Sequence, residues 1–455
     1  MSDHKEQWGL LLAPYRMTRQ GKKPADLDVV RNPFVQDYDR IIFSSSFRRL
    51  AKKTQVHPLV RNDHIHNRLT HSLEVSSVGR SLGLQVGQTL ADRGHLPDGF
   101  SPDHLGQIIQ AACLAHDIGN PPFGHAGEDA IREWFRTSGL LERHDFSPAQ
   151  KADFERYEGN AQGFRIVSRL QSPANPGGLQ LTSAVLATFT KYPRPSQLDS
   201  ELDGKSGKKF GFFQQDAENF AQVARSTGMV ERVPGRAWRR HPLAFLVEVA
   251  DDTCYLIVDM EDAARLGFVS YKDAECLLGE LAGNAVNGGR LAHLHDPKER
   301  LEYLRAKAIG RLLESAAAVF LENEDAILSG EFDDELLEQS PVGVPLQAVL
   351  KVAKETIYTA RPALEIETAG FEVLGALLGL FTHAVEARAE VPGTRFTTRE
   401  RMLLKLLPTQ FLGHDGEPDA DPYVRLLQVA DFVAGMTDSY AVDMYRKLKG
   451  FALPT

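Results

Sequence analysis

Apolar residues recur at three- and four-residue intervals through most of the chain, and the few runs that alternate like strands are short, so the pattern predicts a mainly helical protein. In DHLGQIIQAACLAHDIG, the residues Leu105, Ile108, Ile109, Ala112 and Ala115 share one helical face, with Asp103 as candidate N-cap and Gly119 as C-terminal stop. This helix carries His116 and Asp117 to its final turn. In HPLAFLVEVADDTCYLIVDMEDAARLG, Leu243, Leu246, Val247 and Ala250 lead into Cys254 and Val258, and Gly267 ends the run. The same helix holds Asp251, Asp252, Asp259 and Asp262. The most apolar stretch, Phe371 to Val385, is shorter than a bilayer-spanning helix and contains Glu372 and His383, so it reads as a buried core helix and no membrane span is predicted.

Gly and Pro clusters mark loops at Ser172 to Leu181, Tyr192 to Gly211, Ser340 to Pro345 and His414 to Pro422, the second long enough to be mobile. No fixed-period repeat appears, which disfavours solenoids. The chemically suggestive residues precede position 270. Residues 1–270 are therefore expected to form the catalytic core with its N-terminal segment, and 271–455 a helical region packed on it as one unit. A length of 455 residues allows a substantial core. The formal net charge of −9 excludes an unspecific nucleic-acid or membrane coat, so any phosphate-binding site must be a local basic pocket. Cys113, Cys254 and Cys276 form no C-x-x-C pair and suit a reducing compartment, as small buried apolar residues. The N-terminus lacks an apolar run of signal-peptide length, and a cytoplasmic location is expected.

The candidate chemistry starts at AHDIGNPPFGHAGEDA. His116 and Asp117 end an apolar helix, where two polar groups are costly unless paired or coordinated. Pro121 and Pro122 then break the chain, and Gly124 permits a tight turn into a second helix containing Ala126, Ala130, Ile131, Trp134 and Phe135. A helix N-terminus there favours anions. One His and one Asp cannot hold a divalent ion tightly, and His71 and Asp251 are the best further suppliers. Taken singly, His71 reads better as a hydrogen-bonded core histidine, and Asp251 as part of a solvated acidic face.

NRLTHSLEV, LAHDIGNPPFGHAGEDAI and VEVADDTCYLIVDMEDA reproduce, in order, the H…HD…D pattern of the HD-domain phosphohydrolases. More narrowly the chain resembles the bacterial dGTPase-like deoxynucleoside triphosphate triphosphohydrolases, with RIIFSSSFRRLAKKTQV, YEGNAQGFRI, KYPR and ADFVAGMTDSYA also similar. The resemblance spans residues from about 30 to 445, loosens after 270, and implies an all-α HD-domain core with additional C-terminal helices. It assigns a divalent metal to His71, His116, Asp117 and Asp251. Asp252 rivals Asp251, but Asp251, Tyr255 and Asp259 fall at i, i+4 and i+8 on one face while Asp252 points about 100° away. Two imidazoles and two carboxylates suit Mg, Mn, Co, Ni or Fe rather than a thiolate-preferring metal. His64 and His66 match no ligand of the pattern and read as loop or surface histidines.

Hydrolysis of a phosphate ester needs an activated water, charge neutralisation and a proton for the leaving oxygen. His125 is the candidate general acid, and Glu128, three residues on, the group that orients and charges it. The resemblance also points to Gln55, Asn160, Tyr255 and Asp259 for sugar, base or phosphate contacts, and Arg68, Lys191 and Tyr192 are the candidates for the triphosphate. Arg48, Arg49, Lys52 and Lys53 read as a solvated or ion-paired helix face. The implied reaction converts a dNTP to deoxynucleoside and inorganic triphosphate. Its competitors are another HD-type nucleotidase or phosphodiesterase, and a non-catalytic dNTP sensor or single-stranded nucleic-acid binder. The implied partners are the dNTP substrate, a dNTP or single-stranded DNA effector, and copies of the chain in a hexamer or tetramer. Base preference and the physiological metal stay open.

Overall fold

The computed structural model describes residues 2–18, 21–23, 27, 30–55, 66–390, 397–413 and 415–451. Among these residues twenty α-helices form the fold, with two small two-stranded antiparallel sheets, Arg16–Thr18 with Gly21–Lys23 and Glu231–Val233 with Ala237–Trp238. The fold is all-α, as the periodicity predicts.

Its centre is an antiparallel pair, the Arg68–Asp92 helix against the Pro102–Ala115 helix. They pack so closely that a Cβ at Gly83 would lie 2.9 Å from the Gly106 Cα and 2.7 Å from Ile109 Cδ1. Because the pair is antiparallel, the start of the first helix, with His71, meets the end of the second, with His116. The Pro242–Leu266 helix packs across both and brings Asp251 from its middle to that end.

The Pro102–Ala115 helix begins two residues earlier than expected. Its N-cap is Ser101, whose backbone N–H donates to His104 Nδ1 at 3.1 Å. Pro102 occupies the first helical position, where its missing N–H costs nothing, and this moves Asp103 into the first turn. The helix also closes at Ala115, so His116 and Asp117 stand on the turn just beyond it rather than in its last turn. The Gly124–Thr137 helix then starts from a left-handed pair, Phe123 at φ 65° and Gly124 at φ 60°. A Cβ at Gly124 would sit 2.7 Å from Arg68 Nη2, so glycine is needed there for both conformation and space.

Two apolar cores form. One gathers Trp8, Val75, Ile108, Leu246 and Leu312, and the other Ile131, Phe135, Phe154, Leu377, Phe381 and Leu427, so residues after 270 contribute to both. The apolar stretch around Phe371 belongs to a helix of 30 residues, Arg361–Glu390, longer than its sequence pattern suggests. By length and composition Ala363–Ala389 could cross a membrane, but Leu374, Leu377, Leu378 and Phe381 are buried in the second core, against the Gly124–Thr137 helix. A buried guanidinium ties further elements together: Arg165 Nη1 donates to Asp216 Oδ2 at 3.0 Å and Nε to Asp431 at 2.9 Å, on the Pro422–Ala434 helix.

The Tyr192 to Gly211 segment is not loose. Arg194 Nη1 donates to Gly207 O at 2.8 Å, Ser196 Oγ to Asp153 at 2.5 Å, and Trp238 N to Pro193 O at 2.9 Å. Cys113 and Cys254 are buried, whereas Cys276 is exposed, because it falls on the outer side of the Tyr271–Ala282 helix.

Candidate active site

His71, His116, Asp117 and Asp251 come together at the open end of the central helix pair. The Nε2 of His71 lies 3.1 Å from Asp251 Oδ1, and His116 Nε2 lies 3.3 Å from the same oxygen and 3.6 Å from Asp117 Oδ1. The two imidazoles meet edge to face at 5.2 Å. His116 Nδ1 donates to the Cys113 carbonyl at 2.7 Å, which leaves the lone pair of a neutral ring on Nε2. That Nε2 is buried with no hydrogen-bond partner, facing two carboxylate oxygens. Such a nest of acceptors needs a proton or a cation at its centre. Burial pulls the His116 pKa down, but Asp117 and Asp251 outweigh it and lift it to about 9. Ligand atoms of His71, His116 and Asp117 lie within 4.8 Å of one another, and Asp251 adjoins both histidines, so the donor set fits a divalent cation.

Asp117 is held from its other side. Its Oδ2 accepts from Arg68 Nη1 at 2.8 Å and its Oδ1 accepts from Asn120 Nδ2. Asp252 is turned away from the histidines and lines the cavity beside Lys191 and Glu248. Burial, opposed by Lys191, pushes its carboxyl up to about 8.

A cavity of about 290 Å³ opens over His116, Asp117 and Asp251, lined also by Gln55, Arg68, His125, Asn160, Lys191, Tyr192 and Tyr255, whereas His71 is buried and outside its lining. Burial would lower the Lys191 pKa, but Glu248, its partner at 3.0 Å, helps lift it well above the usual lysine value. Gln55 Oε1 is buried without a partner, and Asn160 Nδ2 donates to Glu158 Oε2 at 3.3 Å. Asp259 is absent from the cavity lining: it is buried one turn beyond Tyr255, and accepts the Tyr358 hydroxyl at 3.0 Å. Tyr358 stacks on Tyr255 with centroids 5.6 Å apart.

His125 projects into the cavity from the first turn of its helix, where loss of hydration lowers its pKa and the Glu128 charge opposes that shift. No hydrogen bond joins the two among the described residues. Glu128 Oε1 instead accepts from the Gly159 N–H at 2.6 Å, so Glu128 acts on the ring through its field and not by contact. Glu158 stands beside it, shared by Arg132 Nη2 at 2.8 Å and Lys209 Nζ at 3.2 Å. Burial and the Glu128 charge push Glu158 up to about 7.

Other expectations change. Lys53 is buried, donating to the carbonyls of Asn120 and Ala434, and burial lowers its pKa to about 7, so it is no part of a solvated face. His66 is half-buried between Asp262, 2.9 Å from Nδ1, and Glu74, 3.2 Å from Nε2, and is not a surface histidine. His64 lies outside the described residues. Lys209, Glu158, Asn120 and Tyr358 are not singled out by the sequence pattern. Asn120 and Glu158 do lie within HDIGN and YEGNAQ, beside residues that are, whereas Lys209 ends a Gly- and Lys-rich run indistinguishable from a solvated loop.

The HD domain family model matches residues 68–169 and the phosphohydrolase-associated domain model matches 398–447. The first match spans His71, His116, Asp117 and His125, while Asp251 comes from outside both. The chain is 43% identical to a deoxyguanosinetriphosphate triphosphohydrolase-like protein of Synechocystis sp., over 98% of this chain and all of that one. It is 36% identical to one of Listeria monocytogenes, over 98% and 100% of the two chains. A deoxyguanosinetriphosphate triphosphohydrolase of Yersinia enterocolitica is 30% identical over 91% of this chain and 93% of its own. With full-length relatives at this identity, and an HD match over the segment that brings two histidines and an aspartate together, the chain belongs to the deoxyguanosinetriphosphate triphosphohydrolase-like family of HD-domain phosphohydrolases.

Proposed function

We propose that this chain hydrolyses deoxynucleoside triphosphates at the α-phosphorus, releasing deoxynucleoside and intact inorganic triphosphate, with a divalent cation held by His71, His116, Asp117 and Asp251. The observation that carries this reading is a buried imidazole lone pair without a donor, His116 Nε2, in the same cavity as the cations Arg68, Lys191 and Lys209. The names of the relatives in Synechocystis and Yersinia agree with it.

When bound, a divalent cation supplies charge neutralisation on the phosphoryl oxygens and lowers the pKa of water. The chain's own groups do the rest. Lys191 and Lys209 draw the triphosphate into one end of the cavity, and Tyr192 flanks it there. Arg68 keeps Asp117 ionised and oriented, and its remaining guanidinium face is available to phosphate. Gln55, Asn160 and Tyr255 contact the nucleoside or the α-phosphate, while Asp259 acts through Tyr358 and Tyr255 rather than directly. As water adds to the α-phosphorus and the bond to O5′ breaks, His125 gives its proton to O5′. A bound polyanion raises the pKa of a nearby imidazole, so substrate counters the lowering that desolvation imposes on His125.

Incubation with dGTP, the other dNTPs and rNTPs, each with Mg, Mn, Co or Ni, followed by chromatography, tests the proposal. Deoxynucleoside and inorganic triphosphate are expected. Monophosphate or pyrophosphate products would instead fit another HD-type nucleotidase, and binding without turnover a dNTP sensor or single-stranded nucleic-acid binder. Sedimentation with and without dNTP or single-stranded DNA tests the tetramer or hexamer and the effector in one experiment.

A further inference from the structure

A second, strongly basic cavity of about 280 Å³ adjoins the catalytic one. Its lining includes Arg132, Arg136, Arg156, Arg194, Lys208 and Lys209, against only two carboxylates, Asp129 and Glu158. Lys209 lines both cavities. So does one helix: His125, Asp129, Arg132 and Arg136 follow at steps of four, three and four along Gly124–Thr137, and this face leads from the catalytic cavity into the basic one over about 16 Å.

The two carboxylates are already committed. Arg132 takes Asp129 and Glu158, each at 2.8 Å, and Lys209 takes the second oxygen of Glu158 at 3.2 Å. Arg136, Arg156, Arg194 and Lys208 have no carboxylate within ion-pair distance among the described residues. Arg156 and Arg194 are positioned by carbonyls, at Ser196 O and Gly207 O, and these bonds aim them without neutralising them. The Arg194 pKa is lowered by burial and then by Arg156 and Arg232, with Glu201 acting the other way, which marks a field of uncompensated positive charge. Arg136, Arg156 and Lys208 are exposed and Arg194 is half-buried, so four cations without a carboxylate partner converge on one small concavity whose local field attracts an anion.

We propose that this cavity is a second binding site for a linear triphosphate chain, next to the catalytic cavity and bridged to it by Lys209. Four free cations match the charge of a triphosphate, and three are arginines, whose forked donors suit phosphate oxygens. The assignment of triphosphate, rather than another anion, rests on the reaction proposed above, which generates inorganic triphosphate within reach of Lys209.

Calorimetric titration of the full chain with inorganic triphosphate tests this. Two sites per chain are expected. Arg156→Ala should weaken the second about tenfold, and Arg136→Ala and Lys208→Ala, at exposed positions where folding is not at stake, should each weaken it in the same direction. The kcat/KM for dGTP should stay unchanged in all three. A single site in the wild type, or a second site indifferent to these substitutions, overturns the proposal even where dNTP turnover is present. Failure of the proposed reaction shows separately, as the lack of inorganic triphosphate among the products. In a His116→Ala background that prevents turnover, dGTP binding to the second site no tighter than inorganic triphosphate supports recognition of the chain. Second-site binding of dGTP without binding of inorganic triphosphate overturns it.

Discussion

Glu128 Oε1 accepts the backbone N–H of Gly159 at 2.6 Å, so the carboxylate next to His125 is anchored to a neighbouring helix and not to the imidazole. Gln in its place keeps an acceptor for Gly159 but loses the charge. Glu128→Gln is therefore expected to fold normally and to lose less activity than His125→Ala, which removes the proton donor and should lower kcat by roughly two to four orders of magnitude. Metal content should be unchanged in both. Steady-state kinetics with elemental analysis checks this; a His125→Ala enzyme with wild-type turnover would sink the assignment.

The proposed ligand set makes a sharper demand. His116→Ala and Asp117→Ala should each lose metal and turnover together while the helical circular dichroism persists. Asp251→Asn should lose metal, whereas Asp252→Asn should keep it, because only Asp251 faces the two histidines. Full occupancy in Asp251→Asn, measured by elemental analysis, would contradict the geometry.

Acid stability is expected to depend on His241, the N-cap of the helix that carries Asp251. Its Nδ1 accepts from the Leu243 N–H at 3.2 Å and its Nε2 donates to the Leu11 carbonyl at 3.0 Å, which requires the neutral ring. Burial lowers its pKa from 6.5 to about 4. A depressed folded-state pKa gives stability that is present above the unfolded value and lost as pH falls through the folded one. Stability should thus decline from about pH 6.5 to about 4, by on the order of 3 kcal/mol from this residue. Urea midpoints across that range should fall less steeply in His241→Asn, which caps without titrating. Equal slopes in the two proteins would refute the role.

Removing one partner of a buried ion pair strands the other. Asp431→Ala leaves Arg165 with Asp216 alone, and the loss is expected to be about 3–5 kcal/mol by urea unfolding. Asp431→Asn, which keeps an acceptor for Gln162 and Arg165, should cost less. A change in Asp431→Ala of only about 0.5 kcal/mol, typical of a surface substitution, would mean that the triad contributes little.

The parts of the site that could be read from sequence are those that periodicity reaches. His116 and Asp117 stand out because an apolar helical face stops just before them, and Asp251 is separated from Asp252 by its place on a turn. Helix ends were harder: Asp103 looks like a cap until the missing N–H of Pro102 is counted. Burial of the lysines was not legible. Lys53 and Lys209 each sit in a run with a second lysine, and only tertiary packing puts one against the Asn120 and Ala434 carbonyls and the other between two cavities. The Glu128 contact to Gly159 depends in the same way on a helix more than thirty residues away reaching the same spot.

Asp251, Tyr255 and Asp259 are spaced four residues apart on one largely buried helix, so each step advances about 6 Å along the axis. Under the proposed function the helix would work as a ruler. A nucleotide whose phosphate is held near Asp251 would bring its sugar to a predetermined mark one turn on, at Tyr255. Ligands with a different distance between phosphate and sugar would be rejected by misregister, before any single contact to the base is made.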